Sequence, residues 1–353
     1  MIRAAGAIEW REARDAEWET LVTRFRDRNY CQDLAYARAA ADDAGARVEF
    51  LVGERDGAAA VAAAVRIKRA PLIGGGVAHI SNGPLLRPVE GPAAAIGDVL
   101  ASLRERYVAQ QGLTLRLAPT IAEAGRHDEW VSAASARGAV PAAWPKPYRT
   151  IVVDLTRSEE EARAALHQKW RHALKRAEAS AAVVRWSDSA AALDEFAGML
   201  ARVEEAKGFD AAIQPSRLAR VNGAISEASA RFRVGLVEHD GANVAGIVVS
   251  VLGDTMVYLL GATPAEGRRI NAANLLQWDA MRQARAAGAR VYDLGGIDAE
   301  ENPGVHRFKA RMGGREALAP GPYEFRPAGP RARLVGVAER CYRGLRDRRE
   351  RST

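Results

Sequence analysis

The apolar positions of this chain fall into a pattern that occurs twice. Residues 48–65, VEFLVGERDGAAAVAAAV, and 231–249, RFRVGLVEHDGANVAGIVV, each give an extended apolar run, an Asp-Gly pair and a second apolar run of small residues. Phe50 and Phe232, like Gly53 and Gly235, stand 182 positions apart, and the two Asp-Gly pairs stand 184 apart. Asp-Gly between apolar runs is a hairpin signature, because both turn positions must take positive φ. Before the first hairpin, 15–27 and 32–44 read as helices. After it come a strand at Val77–Ser81, a turn at Asn82-Gly83-Pro84, a helix over 93–110 and a strand at Leu113–Leu117. Around the second hairpin, Ser158 with Glu161 forms a capping-box pattern. It opens a helix whose apolar positions Ala162, Leu166, Trp170, Leu174 and Ala177 keep a helical repeat. A helix over 189–207 precedes hairpin strands at 232–239 and 244–252, and Gly253-Asp254 turns into a third strand, Met256–Leu260. A helix over 272–287 ends at Gly288, and a strand Arg290–Leu294 runs into Gly295-Gly296. Two helices, a meander, a helix and a strand therefore recur in order, which predicts two copies of one α+β domain.

That order is the layout of the GNAT (acyl-CoA N-acyltransferase-like) class, so the expected fold is α+β, two tandem GNAT domains with mixed sheets. The stretch PAAWPKP places three prolines in residues 141–147, which sets the junction. Residues 1–146 are read as the first domain and 147–318 as the second. The segment 319–353 is expected to return to the first domain and to end in a helix.

Composition narrows the function. At 48% apolar and 27% charged, the 353-residue chain reads as globular, and wholesale disorder and collagen-like sequence are excluded. The formal charge of +7 is concentrated at one end: residues 331–353 hold eight arginines against Glu339, Asp347 and Glu350. Cys31 and Cys341 form no disulfide framework or zinc pattern, and the six histidines have no metal spacing. No stretch approaches a signal peptide or a membrane span, so a reducing cytoplasm is the expected compartment. P-loop and G-x-S-x-G motifs are absent.

The segments 147–178, 257–261 (VYLLG) and 274–314, the last containing YDLGGI, GVHRFK and a closing Gly-Gly, resemble the FemAB/FemX aminoacyltransferases, as do YCQDLAYARAA at 30–40 and SNGPLL at 81–86. The resemblance covers most of residues 28–325. It implies transfer of an amino acid from aminoacyl-tRNA to an amine of a peptidoglycan precursor, with no further cofactor. It also implies a pocket in the groove between the domains. Amine attack on an ester passes through an oxyanion, so a fixed cation matters more than a nucleophilic side chain. By the resemblance Lys309 has that role and Tyr258 and Lys207 bind substrate, with Arg307 and Phe308 expected to bind beside Lys309; Arg171 is expected to bind substrate because it lies in a basic helix without acids. At Lys207 the family often carries arginine, whose planar fork lysine lacks.

Four further readings come from the residues themselves. The run HQKWRHALKR at 167–176 has Lys169, Arg171, Lys175 and Arg176 with no acid, which is either a solvated face or a phosphate neighbour. Asp293 with Gly295-Gly296 reads as backbone geometry rather than chemistry. The tail 331–353 makes an amphipathic basic helix with three readings: docking on the first domain, contact with tRNA phosphates, or contact with an anionic membrane surface beside a lipid-linked substrate. Glu266–Ala273 keeps Gly267 but replaces the later glycines of a pyrophosphate loop, which disfavours CoA. An N-acyltransferase using acyl-CoA or another donor on a sugar amine is the alternative enzyme. A tandem-domain binding module that has lost the reaction is the non-enzymatic one.

Overall fold

The computed structural model describes residues 8–70, 74–207, 213–329 and 336. They form two compact units, one from the chain up to Phe25, Cys31–Pro147 and the chain from Ala319, the other from Arg26–Tyr30 and Tyr148–Leu318. Each is built on a seven-stranded mixed sheet.

In the first unit the elements are β1 (Glu9–Glu12), α1 (Asp15–Val22), α2 (Leu34–Asp43), β2 (Arg47–Arg55), β3 (Ala58–Ala70), β4 (Gly75–Ser81), α3 (Ile96–Arg104), β5 (Thr114–Ala118), α4 (His127–Ser135) and β6 (Val140–Pro141). The β2–β3 turn has Asp56 and Gly57 at φ 52° and 79°, as an Asp-Gly hairpin requires. Alternation along β2 sends Leu51 into the core with α3 and Trp130, and Phe50 and Val52 into the core with Trp18 and Ala37, so both sheet faces are covered.

In the second unit the chain runs through β7 (Arg149–Asp154), α5 (Glu159–Ala165), α6 (Gln168–Glu178), β8 (Val183–Ser187), α7 (Ala190–Lys207), α8 (Pro215–Ala224), β9 (Arg233–His239), β10 (Ala242–Leu252), β11 (Thr255–Ala262), α9 (Ala265–Arg269), α10 (Ala272–Ala286), β12 (Val291–Gly296), α11 (Pro303–Ala310) and β13 (Arg315–Leu318). The Ser158 capping box forms as expected. The single helix expected from Ser158 onward is broken, however. Leu166 is extended, His167 caps α6 by accepting from Lys169 N, and the His167 backbone N–H bonds to Arg311 O. A tertiary partner for the His167 amide has won over local continuity. The apolar repeat crosses the break, since Ala162, Leu166, Trp170 and Leu174 all enter one core.

The sheet orders correspond: β1-β2-β3-β4-β5-β14-β6 and, read from the other end, β8-β9-β10-β11-β12-β7-β13, where β14 is Tyr323–Phe325. In each sheet a parallel pair joins the fourth and fifth strands, β4 with β5 and β11 with β12. The sixth place departs from chain order. In the first sheet it is filled by β14, which follows the last strand of the second unit, and in the second by β7, which follows the last strand of the first. The sheets have exchanged one strand. Arg116 on β5 faces Glu324 on β14 in direct register, and its Nη2 donates to the Glu324 carboxylate at 2.7 Å, both side chains being buried. The basic helix expected at 331–353 lies outside the described residues, Gly336 apart. Among the described residues no helix is long and apolar enough to cross a membrane.

Candidate active site

The second sheet opens where β11 and β12 part. Their parallel ladder has three register pairs, from Thr255–Val291 to Val257–Asp293, and then stops, whereas the equivalent β4–β5 ladder has five. Two irregularities accompany the opening. The β10–β11 register slips between Val248 and Val249, leaving Leu259 as an extra residue, and the β12–β7 register slips between Asp293 and Gly296. Gly295 lies at φ 74°, and a Cβ there would stand 2.4 Å from the Tyr258 carbonyl oxygen. Only glycine satisfies both the dihedral and the close approach. We expect Gly295→Ala to lower stability by about 1–3 kcal/mol, measured by urea unfolding; a cost near zero would show the turn to be tolerant.

Parted strands leave carbonyls without ladder partners. Lys309, on α11, supplies them: its Nζ donates to Gly296 O at 2.9 Å and to Gly295 O at 3.2 Å. The residue is 6% exposed. An ammonium has three N–H donors, so one remains after these two bonds. Nζ also lies 5.2 Å from the centre of the Tyr258 ring, a cation–π distance. Burial pushes the ammonium down to about 8, opposed by the Asp293 charge. At pH 7 it is still charged by about ten to one.

Asp293 is buried, and its carboxylate accepts from Thr150 Oγ1 at 2.5 Å, Gly295 N at 2.9 Å and the Tyr148 hydroxyl at 3.0 Å. Burial pushes this carboxyl up, while those donors and the Lys309 charge pull it back. Asp293 thus ties the Gly295 turn to β7 and sets the field around Lys309, a role beyond the backbone geometry read from the sequence. Tyr258 is half-buried, and burial pushes its hydroxyl up to about 12, so it stays neutral.

Of the residues expected from the sequence, Lys309 and Tyr258 come together here. Phe308 packs on Trp170 of α6, ring centres 6.0 Å apart. Arg171 spends Nη1 on Ala164 O at 2.6 Å, closing the end of α5. Arg307 is exposed on α11. Lys207 ends α7, and its side chain lies outside the described residues. Tyr148 and Thr150 were not singled out in sequence; their one signal is that they open the strand beside Asp293.

The first unit has a cavity of about 250 Å³ with a mostly apolar wall, into which Arg66, His79 and Ser81 bring polar groups. Burial and the nearby Arg66 and Arg116 push His79 down to about 3, so its imidazole is neutral. With Nδ1 accepting from Arg66 Nη2 at 2.9 Å, the proton sits on Nε2, a buried donor without a partner among the described residues.

Residues 161–310 match the family described as Acetyltransferase (GNAT) domain. Among solved structures the chain is similar to FemX, at 17% identity and a TM-score of 0.78, over 93% of this chain and 99% of that one. It is also similar to the C-terminal DUF2156 domain of a protein described as a lysylphosphatidylglycerol synthetase from Agrobacterium fabrum, at 14% identity and a TM-score of 0.54, over 92% and 95%. A conserved protein of unknown function from Bacteroides thetaiotaomicron VPI-5482 aligns at 10% identity and a TM-score of 0.55, over 88% and 99%. No curated protein matches in sequence. The family match places a GNAT-type domain in the second unit, and the corresponding strand orders of the two sheets make the fold a tandem of that type. Within that type the chain is FemX-like in fold along nearly its whole length.

Proposed function

We propose that this protein is an aminoacyltransferase of the FemAB/FemX kind, taking its amino acid from aminoacyl-tRNA and passing it to an amine of a peptidoglycan precursor or related cell-envelope molecule. The observation that carries the reading is the buried Lys309 ammonium, held by two carbonyls at the opening of the sheet with one N–H left over. In the reaction the acceptor amine attacks the aminoacyl ester carbonyl, the C–N bond forms, and the ester C–O bond breaks. The tRNA hydroxyl leaves with the proton that the amine gives up. Negative charge collects on the carbonyl oxygen between these events, and a preorganised buried cation stabilises it without solvent reorganisation. The donors at His79 and Arg66 in the cavity support binding of an oxygen-rich acceptor.

The acyl-CoA alternative draws on the name of the matched family. Against it, Gly267 lies within the short helix α9, where a Cβ would stand 1.8 Å from Val244 O. Close packing on β10 thus accounts for that glycine without a phosphate. Arg268 is folded back onto Thr263 O at 2.8 Å.

The test is direct. Purified protein is given tRNAs charged with labelled amino acids and a soluble muropeptide precursor, and the products are read by mass spectrometry. A new amide on the precursor is expected. Tight calorimetric binding of acetyl-CoA, with no amide from any charged tRNA, would replace this reading with the alternative.

A further inference from the structure

The apolar side of α6, Trp170, Leu174 and Ala177, is buried in the core of the second unit, while Lys169, His172, Lys175 and Arg176 are exposed. At about 100° per residue these four fall within roughly one third of the helix circumference. The acids nearby are engaged elsewhere. Glu159 pairs with Arg282, Glu161 accepts from the Ser158 backbone in the capping box, and Glu178 pairs with Arg163. Lys169, Lys175 and Arg176 consequently have no carboxylate within ion-pair distance among the described residues. Three uncompensated cations on one exposed face repel one another, and an external polyanion relieves that repulsion.

We infer that this face of α6 is a docking surface for the RNA backbone of the aminoacyl donor. The inference rests on the aminoacyl-tRNA reading above. Lys169 and Arg176 are seven residues apart, about 10 Å along the helix. That span faces roughly three phosphates of one strand of a duplex, in number the same as the three cations. The exposed face also lacks any large apolar side chain, since the apolar residues of α6 are in the core. A helix that inserts into a lipid interface needs such side chains exposed, so RNA is favoured over an anionic membrane. Phe308, next to Lys309 in α11, packs on Trp170 of this same helix. The surface is therefore built on the helix that supports the element carrying the reacting cation, and it would hold the RNA while the ester is attacked.

The experiment compares the full-length protein with the triple variant Lys169→Ala, Lys175→Ala, Arg176→Ala, in which all changes are exposed. The probe is an RNA hairpin reproducing an acceptor stem with its single-stranded CCA end, titrated at several salt concentrations. A second arm uses vesicles rich in phosphatidylglycerol. We expect the variant to bind RNA roughly ten- to a hundredfold more weakly, with the slope of log K against log salt shallower by about two to three, and vesicle binding to be unchanged. Because the basic tail is present in both proteins, the difference reports α6 alone. Equal RNA affinity and slope in the two proteins would overturn the docking surface while leaving the donor reading intact. Loss of vesicle binding with RNA binding retained would overturn it in favour of a membrane. No RNA binding by the unmodified protein, with no amide formed from charged tRNA, would remove the donor reading itself.

Discussion

Lys309→Ala is expected to lower kcat by about 10²–10³ while leaving the fold intact, as judged by circular dichroism. The alanine removes the cation that the structure places against the opened carbonyls of Gly295 and Gly296. The dependence on pH gives a sharper test than the loss itself. Because burial pushes the Lys309 ammonium down to about 8, the active charged form is present below that pH and is lost as pH rises through it. The unmodified protein should therefore show a descending alkaline limb in kcat near pH 8. Lys309→Arg keeps its charge far above this range, so whatever activity it retains should lack that limb. Asp293→Asn withdraws the negative charge that holds the ammonium up, and the limb should move to lower pH. A limb that stays in place in both variants would show that another group titrates and that Lys309 has no charged role in the reaction.

Glu324→Ala should cost about 3–5 kcal/mol of unfolding free energy. The carboxylate lies in a buried cross-strand pair with Arg116, and its removal takes a buried ion-pair partner from that guanidinium. Replacing both partners together, Arg116→Met with Glu324→Leu, should recover most of the loss, because neither charge of the pair is then left inside. Urea denaturation of the two proteins decides the matter. If the single variant loses less than about 1 kcal/mol, the pair behaves like a surface ion pair and does not lock β14 to β5.

Local chemistry explains which parts of this structure could be read in advance. The Asp-Gly turns, the Ser158 capping box and the glycine after α10 each need a particular residue at a particular backbone position, and each formed where expected. The break at Leu166–His167 could not be read, since its cause is a hydrogen bond to Arg311, far away in sequence. Helix α11 was missed for a related reason. It is only eight residues long, and its buried side is a lysine, Lys309, where an apolar stripe would be looked for. At the site, Lys309 and Tyr258 were found through family resemblance. The role of Asp293 could not be read, because its partners Tyr148 and Thr150 lie more than 140 positions earlier, just before and on β7. No motif in residues 149–154 or 323–325 marks the place that each takes within its sheet, between β12 and β13 or between β5 and β6.

The strand exchange gives the chain a timetable. During synthesis the first sheet has every strand but one by the time Pro141 has been made, yet β5 keeps an open edge until Tyr323–Phe325 follow, after all of the second unit. Meanwhile β7, made next, waits for β12. An unpaired edge on a nascent sheet is a template for wrong pairing. The charged residues at the β5–β14 seam, Arg116 and the late-arriving Glu324, then act as a lock whose key is delivered last. Arg116 on that edge disfavours apolar partners until Glu324 is translated.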